Sequence, residues 1–246
     1  MSNVYYRGRG EVSVAPYDGS AGLRMIGNCK EVKFSMEENK TSLPDYMNAG
    51  GGKLASSSVI TGVMISIVMN DRTAKNLALA MRGSATAVAA GSATDEAHKG
   101  YHGDEIVMDT HITPTSIVVK DSSGTTTYTL DTDYTVDEKG KITILPTGTI
   151  ADGEDLKISY SYAAHNQVAA LTQAAQEYKF VFVGLNDENG KPVVVTAHKV
   201  KFDPAKEMNL ISENYDEMPL TAEVLADKTR IGAGQSQHWT ALQAEV

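Results

Sequence analysis

Cysteine is nearly missing from this chain, with Cys29 the only one in 246 residues. A single thiol excludes an intramolecular disulfide and any multi-cysteine metal site, and it fits a reducing folding compartment. Cys29 itself reads as a small core residue. Long hydrophobic runs are also missing. No apolar stretch approaches the ~18 residues that a membrane-spanning helix needs, and the opening MSNVYYRGRGEV lacks the apolar centre of a secretory signal. The expectation is a chain with no membrane anchor that is not secreted. Basic residues are outnumbered, 22 Lys and Arg against 31 Asp and Glu, which gives a formal charge of −9. That deficit disfavours non-specific nucleic-acid binding, which needs cations to displace counterions. It remains compatible with an acidic wall past which DNA slides.

Catalytic and metal-binding patterns are lacking as well. Gly50-Gly51-Gly52-Lys53 fails as a phosphate-binding loop, because that pattern requires glycine where Met47 stands and Ser or Thr where Leu54 stands. The six histidines, His98, His102, His111, His165, His198 and His238, show no H-x-x-x-H on a helix and no cysteine partner. His98 and His102 are four apart, but Gly100 and Gly103 oppose the helix that would align them. Asp131, Asp133, Asp137 and Glu138 lack the order of a calcium loop and read as turn acids. No G-x-S-x-G elbow occurs, and the pairs Glu37-Glu38 and Asp187-Glu188 sit in polar turns. An enzyme, a cofactor and a metal site are therefore not expected.

What is present is mostly β pattern. Val32, Phe34 and Met36 alternate with Glu31, Lys33, Ser35 and Glu37, the period-2 signature of a sheet with one wet, charged face. From position 62 to 69 both faces are largely apolar, so that strand is buried or covered by a neighbour. Asn70-Asp71-Arg72-Thr73 offers caps for a helix over Ala74-Lys75-Asn76-Leu77-Ala78-Leu79-Ala80-Met81, which Gly83 can end. Residues 84–100 are rich in Ala, Gly, Ser and Thr and read as a surface connection. Residues 109–163 show five short strands with turns at Ser122-Ser123-Gly124, Glu138-Lys139-Gly140 and Asp152-Gly153. Tyr178, Phe180 and Phe182, then Asn186-Asp187-Glu188-Asn189-Gly190 and the Val193-Val194-Val195 strand, predict a hairpin. Further strands are expected around 208–211 and 220–225.

Between the first two strands lies a polar, glycine-bearing stretch at 37–58 with no apolar periodicity. Such a span leaves its backbone groups short of partners, so it predicts a long hairpin arm that orders against a neighbouring copy. The chain reads as an assembly subunit. Its expected fold is mainly β, an antiparallel β-sandwich or barrel with one flanking α-helix. Residues 1–108 and 164–246 make this domain, and 109–163 form an inserted small β-sandwich, Ig-like or similar, on the outer surface.

The order of several short motifs resembles the major tail tube proteins of long-tailed bacteriophages. These are Val4-Tyr5-Tyr6-Arg7-Gly8-Arg9-Gly10-Glu11-Val12, Gly22-Leu23-Arg24-Met25-Ile26-Gly27-Asn28, the polar arm with Asp45-Tyr46 and Gly50-Gly51-Gly52, Asn76-Leu77-Ala78-Leu79-Ala80-Met81, Gly184-Leu185-Asn186, and Glu223-Val224-Leu225-Ala226-Asp227. The resemblance implies a virion structural protein whose six copies close into a ring, with rings stacking head to tail. The resulting tube conducts DNA into the host without binding it specifically. It also implies tail terminator, tape measure and tail tip proteins as partners, assembly in the host bacterial cytoplasm and residence in the virion tail. On this basis Lys40, Asp45, Tyr46, Gly50, Gly51, Gly52 and Lys53 are expected to make inter-ring stacking contacts. Tyr5, Tyr6, Arg7 and Arg9 would form an N-terminal arm, and Glu31, Lys33, Ser35 and Glu37 would line the lumen. Six copies at −9 each would place about −54 on a ring, which repels phosphates. A tube subunit of a contractile tail or injection machine shares this pattern, and a β-rich host-surface binding module is the reading from another class.

Overall fold

The computed structural model describes residues 5–244, so Val4 of the opening motif lies outside the described residues. The chain divides into two compact units, Met1–Ala85 with Val168–Val246, and Thr86–Gln167. Among the described residues strands dominate, all sheets pair antiparallel where their register is defined, and there is one α-helix.

The first unit begins with β1 (Gly8–Pro16), β2 (Arg24–Met25), β3 (Cys29–Pro44) and β4 (Lys53–Met69). On β4, Val63, Ile65, Ile67 and Met69 are buried while Met64, Ser66 and Val68 between them are half-buried. One face therefore builds the core, and the apolar residues on the other stay partly wet. Four such burials supply roughly 1.5–3 kcal/mol each. Cys29 packs against this core, and burial pushes its thiol up to about 11, which keeps it neutral and inert.

Helix α1 (Ala74–Ala80) follows. Thr73 caps it by accepting the Asn76 N–H at 3.2 Å. At its end the Gly83 N–H reaches the Ala78 carbonyl at 2.8 Å, and the residue that takes the left-handed turn is Arg82, with φ 46°. Gly83, expected to supply that turn, is needed for another reason: a Cβ there would stand 2.3 Å from the Ala169 carbonyl oxygen. The buried Asn76 amide donates to the carbonyls of Ile26 and Asp71 and accepts from Arg24, which fixes the helix on β2.

The chain then passes through β5 (Ser84–Val88) into the second unit, which holds β6 (Gly91–Gly100), β7 (Glu105–Ile106), β8 (Thr115–Asp121), β9 (Tyr134–Val136), β10 (Ile142–Ile144) and β11 (Glu154–Tyr162). Two three-stranded sheets, β6-β11-β8 and β7-β10-β9, share a core that includes Val119, Ile142, Ile144, Leu156 and Ile158. Asp133 is buried, and its carboxylate accepts from the Thr129 N–H, the Thr149 N–H and the Thr149 hydroxyl within 2.8 Å. Its acceptor capacity thus goes to organising two turns. β12 (His165–Ala169) carries the chain back and pairs with β5.

This unit starts well before residue 109, and the surface connection expected at 84–100 is instead β5 and the whole of the ten-residue β6. The physical reason is the composition of β6. Its less exposed positions are Ala93, Glu96, His98 and Gly100, so no large apolar residues mark the alternation. Glu96 is held there because its carboxylate accepts from the Tyr160 hydroxyl, the His98 ring and the Asp109 N–H. Around Tyr128-Thr129-Leu130 there are only isolated bridges, at Thr127 and Leu130, and no strand, which leaves four strands between 109 and 163.

The first unit is completed by β13 (Glu177–Asn186), β14 (Lys191–Phe202), β15 (Met218–Val224) and β16 (Trp239–Gln243). The sheet order is β2-β1-β13-β14-β15-β4-β3, with β16 on β14. One edge of β14 serves two partners, β16 along 193–197 and β15 along 200–202. The sheet therefore splits and folds over itself: Phe34 of β3 lies 6.0 Å from Phe180 of β13 and 5.4 Å from Trp239 of β16. A β-sandwich closes around Val12, Val14, Ile65, Ile67, Phe180 and Leu220. The strand expected near 208–211 is an irregular loop in which Leu210 and Ile211 face water, because no neighbouring strand offers them a ladder.

Candidate assembly surface

The stretch at 37–58 is not short of backbone partners. β3 and β4 pair along 37–44 and 53–58, with Glu38 opposite Ile60, Lys40 opposite Ser58, Ser42 opposite Ser56 and Pro44 opposite Lys53, and the tip at 45–52 is a turn closed by the Asp45 N–H on the Gly52 carbonyl at 2.9 Å. The expectation of an unsatisfied backbone is overturned by this ladder. The stretch hides its strand character because neither face is buried, so nothing selects an alternating apolar pattern. From Ser35 to Thr61 every residue is exposed except Asp45, which is half-buried. The arm is a two-stranded ribbon that meets only itself.

Side chains along the ribbon are tied locally. Lys40 pairs with Glu38 at 3.0 Å, and the Ser58 hydroxyl together with Lys40 lowers the Glu38 carboxyl below its ordinary range. At the tip, Asp45 accepts from the Met47 N–H, the Asn48 N–H and the Asn48 side-chain amide, and these bonds lower its carboxyl too. Gly50, Gly51 and Gly52 all have positive φ, 122°, 65° and 139°, which is why three glycines close this turn. Tyr46 and Met47 project from it 85% and 79% exposed. An isolated two-stranded hairpin is marginal in water, and exposed apolar groups at its tip mark a contact surface.

Tyr5, Tyr6, Arg7 and Arg9, expected to form an N-terminal arm, lie against the β13–β14 turn of their own chain. Asn186, fully buried, accepts the Arg7 N–H and donates to the Tyr5 carbonyl, while Arg9 and Arg7 converge on Asp187 at 3.0 and 3.7 Å. The segment is thus moored to the β13–β14 turn of its own chain, with the Tyr5 and Tyr6 side chains left exposed. That mooring escaped sequence reasoning, although Asn186-Asp187 in a strong hairpin turn is the signal that could have raised it.

Glu31, Lys33, Ser35 and Glu37 do share one face, opposite to Val32 and Phe34. Across the ladder that face continues through Val68, Ser66, Met64 and Gly62, then through Pro219, Thr221 and Glu223 of β15. Glu31 and Lys33 pair at 2.5 Å, so the charge of the face is mixed. Beyond it, β3 ends the sheet, and its outer edge has no strand partner among the described residues. On the other edge β2 covers only Ser13 and Val14 of β1.

No helix is long and apolar enough to cross a membrane, and the described residues contain no cluster of three or more metal-ligating side chains. The fold and these surfaces define a β-sandwich protein with an inserted β unit and a projecting, self-paired ribbon. The family model described as protein of unknown function UCP028589 matches residues 5–241, and the chain belongs to that family. No curated protein matches the chain.

Proposed function

We propose that this chain is a tail tube subunit of a long-tailed bacteriophage, a structural protein whose copies close into hexameric rings that stack into a DNA conduit. The observation that carries the reading is the β3–β4 ribbon, exposed on both faces from Ser35 to Thr61 with Tyr46 and Met47 at its apex. From position 37 to 44 it extends about 27 Å at ~3.4 Å per residue, enough to reach a neighbouring molecule. The open edges of β1 and β3 add support, since an unpaired edge is a template for the strand of another copy. Head-to-tail contacts of this kind generate rings when the rotation closes and filaments when it does not.

The motif order across the chain supports the same class, and the face bearing Glu31, Lys33, Ser35 and Glu37 is the lumen surface we assign. Tail terminator, tape measure and tail tip proteins complete the assembly as partners, in the virion tail. Negative-stain electron microscopy of the purified chain at high concentration is the test. Rings or tubes with a central channel are the expected result, and a chain that stays monomeric at every concentration overturns the proposal.

A further inference from the structure

Resting on that reading, we infer that the ribbon tip of one copy seats in a groove of the next copy, between α1, the β1–β2 edge and residues 173–178. The groove has a volume of about 330 Å³. Val14, Leu79, Tyr178 and Phe202 provide apolar surface, Arg24, Lys75 and Arg82 supply the charge, and no Asp or Glu lines it. The tip matches it in both respects. Tyr46 and Met47 are apolar or amphipathic and exposed, and Asp45 is the only ionised side chain from 45 to 52.

The three cations are not equivalent. Arg24 donates to Asn76, and Arg82 donates to the Phe202 carbonyl and lies 3.8 Å from Asp203. Neither Arg24 nor Lys75 makes an ion pair with any described residue, but Arg24 is held by Asn76, which leaves the Lys75 ammonium as the charge presented to a partner. The cleft beside β1 and β3, about 400 Å³ and touched by Arg9, Lys30 and Glu31, carries both signs and has no such bias. Complementary charge sets orientation and rejects alternative docking poses. The groove therefore selects the tip by one carboxylate beside two side chains that seek burial.

Lys75→Glu raises the concentration needed for tube formation about tenfold, and adding Ala49→Lys at the exposed tip restores it, because the sign of the contact is preserved. Circular dichroism checks that both variants fold. A direct readout uses the Cys29→Ser background, mixing copies that carry Met47→Cys with copies that carry Ala78→Cys. An intermolecular disulfide between them is expected. Tubes with an unchanged assembly threshold in Lys75→Glu, or Met47→Cys linking to Val195→Cys in the β1–β3 cleft instead, overturn this docking while leaving the tube reading intact. Absence of rings and tubes from the native chain removes both.

Discussion

The ring of Phe34 meets that of Phe180 edge to face, with centroids 6.0 Å apart and planes at 76°. The two residues belong to β3 and β13, at distant places in one sheet order, so their contact is what turns a curled sheet into a closed sandwich. Edge-to-face pairs add about 0.5–1.5 kcal/mol beyond area burial. Phe34→Ala should lower stability by about 2–4 kcal/mol, because the ring is half-buried rather than fully enclosed. A urea titration would register this as a lower midpoint with an unchanged slope.

Removal of residues 45–53 takes away the tip and leaves every core side chain in place. The shortened chain should keep its melting temperature within a few degrees, as surface changes usually cost less than about 0.5 kcal/mol. Sedimentation and electron microscopy should find folded monomers that no longer polymerise. Unaltered tube formation would end the role given to the ribbon.

Gly10 and Gly184 lie opposite one another on β1 and β13, with the Phe182 ring over both. A Cβ at position 184 would sit 2.2 Å from the Arg9 carbonyl oxygen and 2.6 Å from the Phe182 ring. Gly184→Ala should therefore destabilise the first unit by about 1–3 kcal/mol through forced displacement of the neighbouring strand. Thermal unfolding measured beside Gly190→Ala, whose Cβ meets open space but whose φ is 68°, separates crowding from backbone strain.

Asp133 tests the turn network of the second unit by pH. The Thr129 N–H, then the Thr149 N–H, holds its carboxyl below the ordinary range. A depressed folded value means its contribution is present above the unfolded value of about 3.9 and is lost as pH falls through the folded value. Asp133→Asn should cost about 1.5–3 kcal/mol at pH 7, and the gap from the native chain should narrow below about pH 4. A gap that stays constant down to pH 2.5 would refute this account.

The sandwich strands were legible where one face is buried. Val32 and Phe34 announced β3, with Met36 continuing the alternation although it is exposed, and the Tyr178 to Phe182 alternation announced β13, because burial imposes a period on the sequence. β6 was invisible for the opposite reason, with Glu96 and His98 occupying positions that alternation reserves for Val or Ile. The ribbon was noticed for its length and polarity, but its pairing could not be read: Thr41 opposite Ser57 and Ser42 opposite Ser56 carry no register signal. The Asn186 mooring and the Lys75 groove depend on contacts between segments far apart in sequence. No local pattern encodes them.

The inserted unit leaves through β5 and returns through β12, and these two strands are hydrogen-bonded neighbours. The severed ends of the host domain are thus separated by little more than the spacing of two strands, about 5 Å. A few linker residues can bridge that gap. Such a junction lets the whole module be exchanged, enlarged or discarded as a cassette, so diversification of residues 86–167 proceeds without redesign of the sandwich that carries them.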